Sequence, residues 1–154
     1  WVGRIHRGGD IVGPAGAGVT VQTVDVRDLC EWLVHLAESD AGGSYNAAGQ
    51  VWTRAGLLWG VRGTTSQDSR FFWPDAELVS ELEMPAPMLD WGSQSRTFAH
   101  QASLSAGMVY RPLAESARDI LAWWQQQTDE RRKNPRGWPT AAVEAAALER
   151  LKSS

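Results

Sequence analysis

The sequence predicts an α/β fold that has few short strands and several helices, and three observations support this. Residues 19–26 are rich in β-branched side chains and alternate apolar with polar positions, as a half-buried strand does. Residues 27–38 then change to a helical period, and their predicted apolar face comprises Leu29, Trp32, Leu33, Leu36 and Ala37. Extended and helical segments continue to alternate along the sequence, which is typical of α/β proteins with buried parallel strands.

Length and composition fit one domain that comprises residues 1–154. The chain is 43% hydrophobic and 21% charged, and a protein of this size buries roughly 68–70% of its unfolded surface. A formal charge of -3 is too balanced for binding to nucleic acid or to an anionic membrane surface. No apolar stretch approaches the ~20 residues that cross a bilayer. Because Cys30 is the single cysteine, no intrachain disulfide can form, and we expect a cytoplasmic protein.

The elements of the first half follow from local signals. A short helical turn ends at Gly8 and Gly9 and is followed by an extended piece. Residues 14–18 are a glycine-rich connection, without the Lys-Ser/Thr pair of a phosphate-binding loop. Asp25 or Asp28 caps the helix that follows the first long strand. The remaining expected elements are a strand at 44–47, a helix at 53–61, a strand at 70–73 and a helix at 75–82.

The second half is predicted to be mainly helical. Residues 85–92 form a loop, 98–106 a helix that ends at Gly107, and 108–110 an extended piece. Pro112 opens a long helix to about residue 127, with an apolar face of Leu113, Ala117, Ile120, Leu121 and Trp124. Residues 129–139 are expected to be a polar linker to a last helix at 140–151. So few strands cannot cover this many apolar helix faces, which predicts a missing domain or a dimer.

Motifs for independent catalysis are absent from the sequence. His6, His35 and His100 do not have the spacing of a helical metal site, and there is no G-x-S-x-G motif. Asp25 and Asp28 flank Arg27, and a helix cap with a local ion pair explains all three. We therefore predict no catalytic, cofactor-binding or metal-binding residue. Arg111 is a candidate ligand contact because it lies between a predicted strand and a helix, where binding crevices occur in α/β sheets.

Three segments resemble the C-terminal half of NAD-dependent epimerases/dehydratases of the extended short-chain dehydrogenase/reductase (SDR) superfamily. They are residues 21–32 (VQTVDVRDLCEW), 43–49 (GSYNAAG) and 107–123 (GMVYRPLAESARDILAW). The corresponding family patterns read VQFIDVRDLAEW, GxFNATG and GLxFRPLAETxRDTLAW. Residues 1–9 (WVGRIHRGG) also resemble the helix just past the central Gly-Pro loop of that group. The likeness covers almost the whole sequence in the same order and spacing.

The resemblance also implies what this protein lacks. The family's glycine-rich G-x-x-G-x-x-G motif and its Y-x-x-x-K catalytic pair belong upstream and do not occur in these 154 residues. In nucleotide-sugar epimerases of the family, an Arg that binds the substrate phosphate precedes a D-Y-I-H-V-x-D-L stretch, and Val21, the first residue of the segment 21–32, stands at the aligned position. Smaller departures are Cys30 for Ala, Ala48 for Thr and Ser116 for Thr. A nucleotide-sugar substrate is therefore not implied.

We therefore interpret the chain as a substrate-binding fragment of an NAD(P)-dependent epimerase/dehydratase or reductase. The first residue is Trp1 rather than Met, which agrees with a fragment from which the Rossmann half is absent. NAD or NADP would bind that missing half, and neither is expected to bind these residues alone. The expected contacts of a small-molecule substrate are Trp1, Arg4, Gln22, Trp91 and Arg111. The alternative is a non-catalytic binding or dimerisation module, covered by a partner or a second copy.

Overall fold

The protein has a mixed α/β fold. The structure is a computed structural model that describes residues 1–85, 95, 97–133, 135 and 137–153. The strands are β1 (Gly9–Val12), β2 (Thr20–Thr23), β3 (Gln50–Thr53) and β4 (Ser69–Phe72). The helices are α1 (Val2–His6), α2 (Val26–Glu38), α3 (Arg54–Arg62), α4 (Ala76–Glu81), α5 (Gln101–Ser105), α6 (Leu113–Gln125), α7 (Asp129–Lys133) and α8 (Ala141–Ser153).

The strands form two separate pairs. β1 and β4 are parallel, with Gly9 opposite Ser69 and Val12 opposite Phe72. β2 and β3 are antiparallel, with Thr20 opposite Thr53. Within the described residues neither pair extends to a third strand. The expected parallel pairing is therefore found for β1 and β4 alone, and these two strands are only partly buried.

The predicted strand at 44–47 is wrong, because residues 44–49 are irregular and the strand that pairs with β2 begins at Gln50. Hydrogen bonds from side chains distant in sequence hold this segment, in place of the backbone hydrogen bonds that a neighbouring strand would supply. The hydroxyl of Tyr110 donates to the Ala48 carbonyl oxygen at 2.6 Å, and the hydroxyl of Ser103 donates to the Asn46 carbonyl oxygen. These bonds join residues that are far apart in sequence, and local patterning carries no information about them.

Helix α2 forms where expected, but its predicted apolar face is only partly correct. Trp32 is buried, and its indole nitrogen donates to the Ala106 carbonyl oxygen at 2.9 Å. Leu33, in contrast, is 53% exposed, and Ala37 is exposed as well. The reason is that α2 packs through the side that carries Asp28 and Trp32. The side roughly opposite remains uncovered, and we name this surface the α2 stripe; it comprises Val26, Leu33 and Val34.

The main core lies where α1, α3 and α6 meet the two strand pairs. Its most buried members include Ile5, Ile11, Leu58 and Ala117. Gly60 permits the close approach of α3 and α6, since a Cβ atom there would lie 2.6 Å from a methyl group of Leu113. The predicted apolar face of α6 is largely correct, but Ile120 is 49% exposed because it borders a cavity.

The last helix, α8, packs on β1 and α1. The Arg4 side chain donates to the Glu144 carboxylate at 3.0 Å, and both side chains are nearly buried. At the other end of α8, Lys152 pairs with Asp10 at 2.5 Å. The segment predicted as a polar linker, 129–139, contains the short helix α7, whose acidic first turn and basic last turn complement the helix dipole.

Candidate functional site

A cavity of about 640 Å³ lies between the N-terminus of α2, the ends of β2 and β3, and helices α3 and α6. We name it the central cavity. Its volume is within the range of small-molecule sites, about 300–1,000 Å³. Its wall is mainly apolar and includes Trp1, Trp52, Leu57, Leu58, Val61 and Ala117. Its polar rim includes Asp25, Arg27, Asp28, Arg111, Ser116 and Asp119.

Asp25 organises one side of the rim. As the N-cap of α2, its carboxylate accepts the backbone N–H of Arg27 at 2.9 Å. The Arg27 guanidinium donates to the same carboxylate at 2.7 and 3.0 Å, and the Ser116 hydroxyl on α6 is a further donor. The hydrogen bonds from Arg27 and Ser116 hold the pKa of Asp25 well below its ordinary range. This carboxylate is therefore ionised at neutral pH and joins α2 to α6.

Arg111 organises the other side of the rim. Its backbone N–H donates to the buried Asp28 carboxylate at 3.0 Å, and its side-chain Nε donates to the second oxygen. Nη2 donates to Glu31 at 2.9 Å, and Nη1 lies 3.6 Å from Glu115. The hydrogen bond to Asp28 raises the pKa of Arg111. Its guanidinium is thus directed mainly toward carboxylates of the protein itself.

The rim is acidic as a whole. Among the described lining residues, the carboxylates of Asp25, Asp28 and Asp119 outnumber the guanidinium groups of Arg27 and Arg111 by one. Glu31 and Glu115 pair with Arg111 from outside the lining. An excess of negative charge disfavours a phosphate or carboxylate ligand at this position. The rim therefore suits a neutral ligand that offers hydroxyl or carbonyl groups, with its apolar part against the aromatic wall.

Tyr110 contributes a phenol to the central cavity. Because it is partly buried, the pKa of Tyr110 is raised above its ordinary value. The phenol is therefore protonated at neutral pH and acts as a hydrogen-bond donor, which agrees with its bond to the Ala48 carbonyl oxygen. In this geometry Tyr110 positions the loop before β3.

Of the four predicted substrate contacts that the structure describes, Trp1 and Arg111 line the central cavity. Arg4 donates to Glu144, to the Gly8 carbonyl oxygen at 3.0 Å and to the Asp10 carbonyl oxygen at 2.5 Å, so it joins α1 to α8 and β1.

Gln22, another predicted contact, does not line the central cavity. The Gln22 amide oxygen accepts the backbone N–H of Phe98 at 2.6 Å, and its nitrogen donates to the carbonyl oxygens of Gly49 and Phe98. Gln22 thus anchors the segment that precedes α5. Trp91 lies outside the described residues.

Sequence reasoning missed three aromatic residues of the central cavity: Trp52, Tyr110 and Trp123. Trp52 lies on β3, a strand that local patterning did not predict. Trp123 lies on α6 beside Ile120, and both are about half exposed. The unusual number of tryptophans, nine in 154 residues, was the available signal, because Trp is a favoured ligand-stacking side chain.

Comparison of the sequence and fold with family models, with curated proteins and with solved structures found no match. No helix within the described ranges combines the length and the apolar character needed to span a lipid bilayer. Over the same ranges, the structure places no three His, Cys, Asp or Glu side chains together as a metal site. The central cavity is therefore interpreted from its own chemistry.

Proposed function

We propose that this protein is the substrate-binding part of an NAD(P)-dependent epimerase/dehydratase-type oxidoreductase, and that the central cavity holds the substrate. The observation that carries the proposal is the convergence of distant segments on one cavity. Residues 23–28 and 110–123 supply most of its rim, and residues 43–49 are held beside it through Tyr110. These are the segments in which the sequence resembles that group.

The chemistry of the cavity favours a neutral, ring-bearing substrate with hydroxyl or carbonyl groups. Trp1 and Trp52 offer aromatic faces on which a ring can pack. The carboxylates of Asp25 and Asp119 can accept hydrogen bonds from hydroxyl groups. The acidic rim and the apolar Val21 in place of a phosphate-binding Arg both disfavour a nucleotide-sugar substrate.

In this proposal the protein binds and orients the substrate and excludes water from it. The nicotinamide cofactor, when bound to the rest of the enzyme, supplies hydride transfer at a carbinol carbon. The glycine-rich motif and the Tyr-Lys pair that this chemistry uses in the family do not occur in these 154 residues. We therefore assign no catalytic residue to them. The exposed thiol of Cys30 fits a reducing compartment such as the cytoplasm.

Filling the central cavity tests the proposal. Ala117 is 1% exposed and lines the cavity, whereas Ala122 is exposed on the same helix. We expect saturation-transfer NMR to detect binding of cyclohexanone or myo-inositol to the wild-type protein. Ala117→Leu should abolish that binding, because the added carbons occupy the cavity, and Ala122→Leu should preserve it. Failure of both compounds to bind, or an equal loss in both variants, would contradict the proposal.

Cofactor binding provides an independent test. Titration calorimetry of the protein with NAD and with NADP should show no detectable heat of binding, because the pyrophosphate-binding motif is not in this sequence. Micromolar affinity for either nucleotide would overturn this assignment of the cofactor to another part of the enzyme.

A second candidate function, a dimerisation or binding module, rests on the α2 stripe. Val26, Leu33 and Val34 are 67%, 53% and 56% exposed, and they lie on one side of an otherwise well-capped helix. An uncovered apolar surface of this kind is typical of interfaces. The two functions differ in what the protein binds, a small molecule in the cavity or a protein surface on α2.

A further inference from the structure

A second cavity, of about 700 Å³, lies between α1, the C-terminal end of α6 and α7. We name it the tryptophan cavity, because four indoles line it: Trp1, Trp123, Trp124 and Trp138. It adjoins the central cavity through Trp1, Val2, Ile120 and Trp123, which line both. Three α7 residues, Asp129, Arg132 and Lys133, line the tryptophan cavity and do not line the central cavity.

The indoles form two pairs with defined geometry. Trp1 meets Trp138 edge to face, with 4.6 Å between the ring centroids and 79° between the planes. Trp123 and Trp124 have centroids 6.3 Å apart. Trp124 packs directly on Gly3, where a Cβ atom would overlap its ring. The aromatic surface is therefore built where α1 meets α6 and the segment that precedes α8, and a flat ring is the ligand shape that suits it.

The charge of the tryptophan cavity is opposite to that of the central cavity. Its lining carries four cationic side chains, Arg4, Arg7, Arg132 and Lys133, but only one carboxylate, that of Asp129. Asp129 pairs with Arg132, and Glu144 pairs with Arg4. Arg7 and Lys133 remain, and among the described residues neither forms a salt bridge.

Arg7 is in an environment that favours an added anion. Partial burial and the nearby charge of Arg4 lower the pKa of its guanidinium, and Glu144 offsets this only in part. A negative group between Arg7 and Lys133 would complement both cations. The neighbouring Arg131 guanidinium lies 5.4 Å from the ring centroid of Trp123, which adds positive charge beside the aromatic surface.

From this combination we propose that the tryptophan cavity is a second binding site, specific for a small aromatic anion. The ring would pack among the four indoles, and its carboxylate, sulfonate or phosphate would face Arg7 and Lys133. The volume matches a small molecule, and the net charge of -3 for the whole protein disfavours a nucleic acid as the source of the anion. The proposal does not depend on the proposed substrate function, because it requires neither the acidic rim nor a cofactor, although the indoles of Trp1 and Trp123 line both cavities.

A pair of probes with the same ring and different charge tests the proposal. Calorimetry should show that 2-naphthoate binds the protein at one site and at least several-fold more tightly than the neutral 2-naphthamide. Increasing salt should reduce that preference, because ions screen the exposed cations. Equal affinities for the two probes, or no binding of 2-naphthoate, would overturn the proposal.

Charge-removing variants locate the site. We expect Arg7→Gln to weaken 2-naphthoate binding about three- to fivefold, the loss of one partly exposed ion pair. Arg118→Gln is the matched control: Arg118 is an exposed arginine on α6 outside the lining of both cavities, and it should retain wild-type affinity. Equal weakening in both variants would show that only the overall charge matters and would refute the site. Neither exposed position should alter folding, which thermal unfolding checks.

Discussion

At Gly49 the loop before β3 runs against the backbone of the last residue of β2. A Cβ atom at Gly49 would overlap the Thr23 carbonyl oxygen, and the residue is buried. The absence of a side chain is therefore required for β2 and β3 to pair in their register. The close approach of Gly49 to Thr23 thus lies two residues before Asp25, whose carboxylate accepts a hydrogen bond from Ser116 on α6.

Replacement of this glycine should be strongly destabilising. We expect Gly49→Ala to lower the free energy of unfolding by about 1–3 kcal/mol, since the backbone must move to admit the methyl group. Gly42→Ala in the same connection is the matched control, because nothing lies within 4 Å of its Cβ position, and it should leave stability almost unchanged. Urea denaturation measures both. Equal stability of the two variants would contradict the close approach at Gly49.

The N-cap Asp25 should account for part of the loss of folding stability at acid pH. Because its pKa in the folded state is depressed, the unfolded protein takes up the proton first as pH falls below about 3.9. The stabilisation is thus complete above that pH and is lost as pH decreases toward the folded-state pKa. We expect Asp25→Asn to reduce the pH dependence of the unfolding midpoint between pH 5 and 2. An unaltered profile in Asp25→Asn would argue against this role.

At the scale of elements, α8 depends on polar contacts for its attachment. Its buried surface includes Ala147 and Glu144, and its C-terminal part is joined to β1 and α4 by Lys152 and Arg150. Surface ion pairs contribute little stability, so among these three ion pairs we expect the nearly buried pair of Glu144 with Arg4 to contribute most. The sequence predicted this helix from its apolar period, but not the element on which it packs.

Loss of the charge at Glu144 should therefore loosen α8. We expect Glu144→Gln to cost about 1.5–3 kcal/mol in the free energy of unfolding, because Arg4 loses a charged hydrogen-bond partner in a nearly buried site. Glu149→Gln removes the same charge from an exposed position of α8 and should cost less than about 0.5 kcal/mol. Hydrogen exchange of α8 amides provides the second readout, with faster exchange only in Glu144→Gln. Unchanged exchange in that variant would contradict the assignment.

Whole-molecule behaviour should reflect the α2 stripe. Because the α2 stripe is apolar and uncovered, it favours association between copies of the protein or binding of a hydrophobic dye. We expect the average mass of the wild type in sedimentation to increase with protein concentration. In Val34→Glu this increase should be smaller, because a charge on the stripe opposes association. Val109→Glu is the control, because Val109 is 74% exposed and is not on the stripe. A dilute, dye-negative monomer with a sharp thermal transition would contradict the prediction of an uncovered face.

The sequence by itself determined the mixed α/β class, the helices at α2, α6 and α8, and an aspartate cap on α2 from either Asp25 or Asp28, of which the structure selects Asp25. These features arise from contacts between residues close in sequence, so local period and capping chemistry are sufficient to predict them. Only the tertiary structure decided that β2 pairs with β3, that α2 packs through Trp32, and that Arg111 faces Asp28. It also decided the opposite charges of the two cavities. Those features depend on contacts between segments distant in sequence, for which one sequence contains no periodic signal.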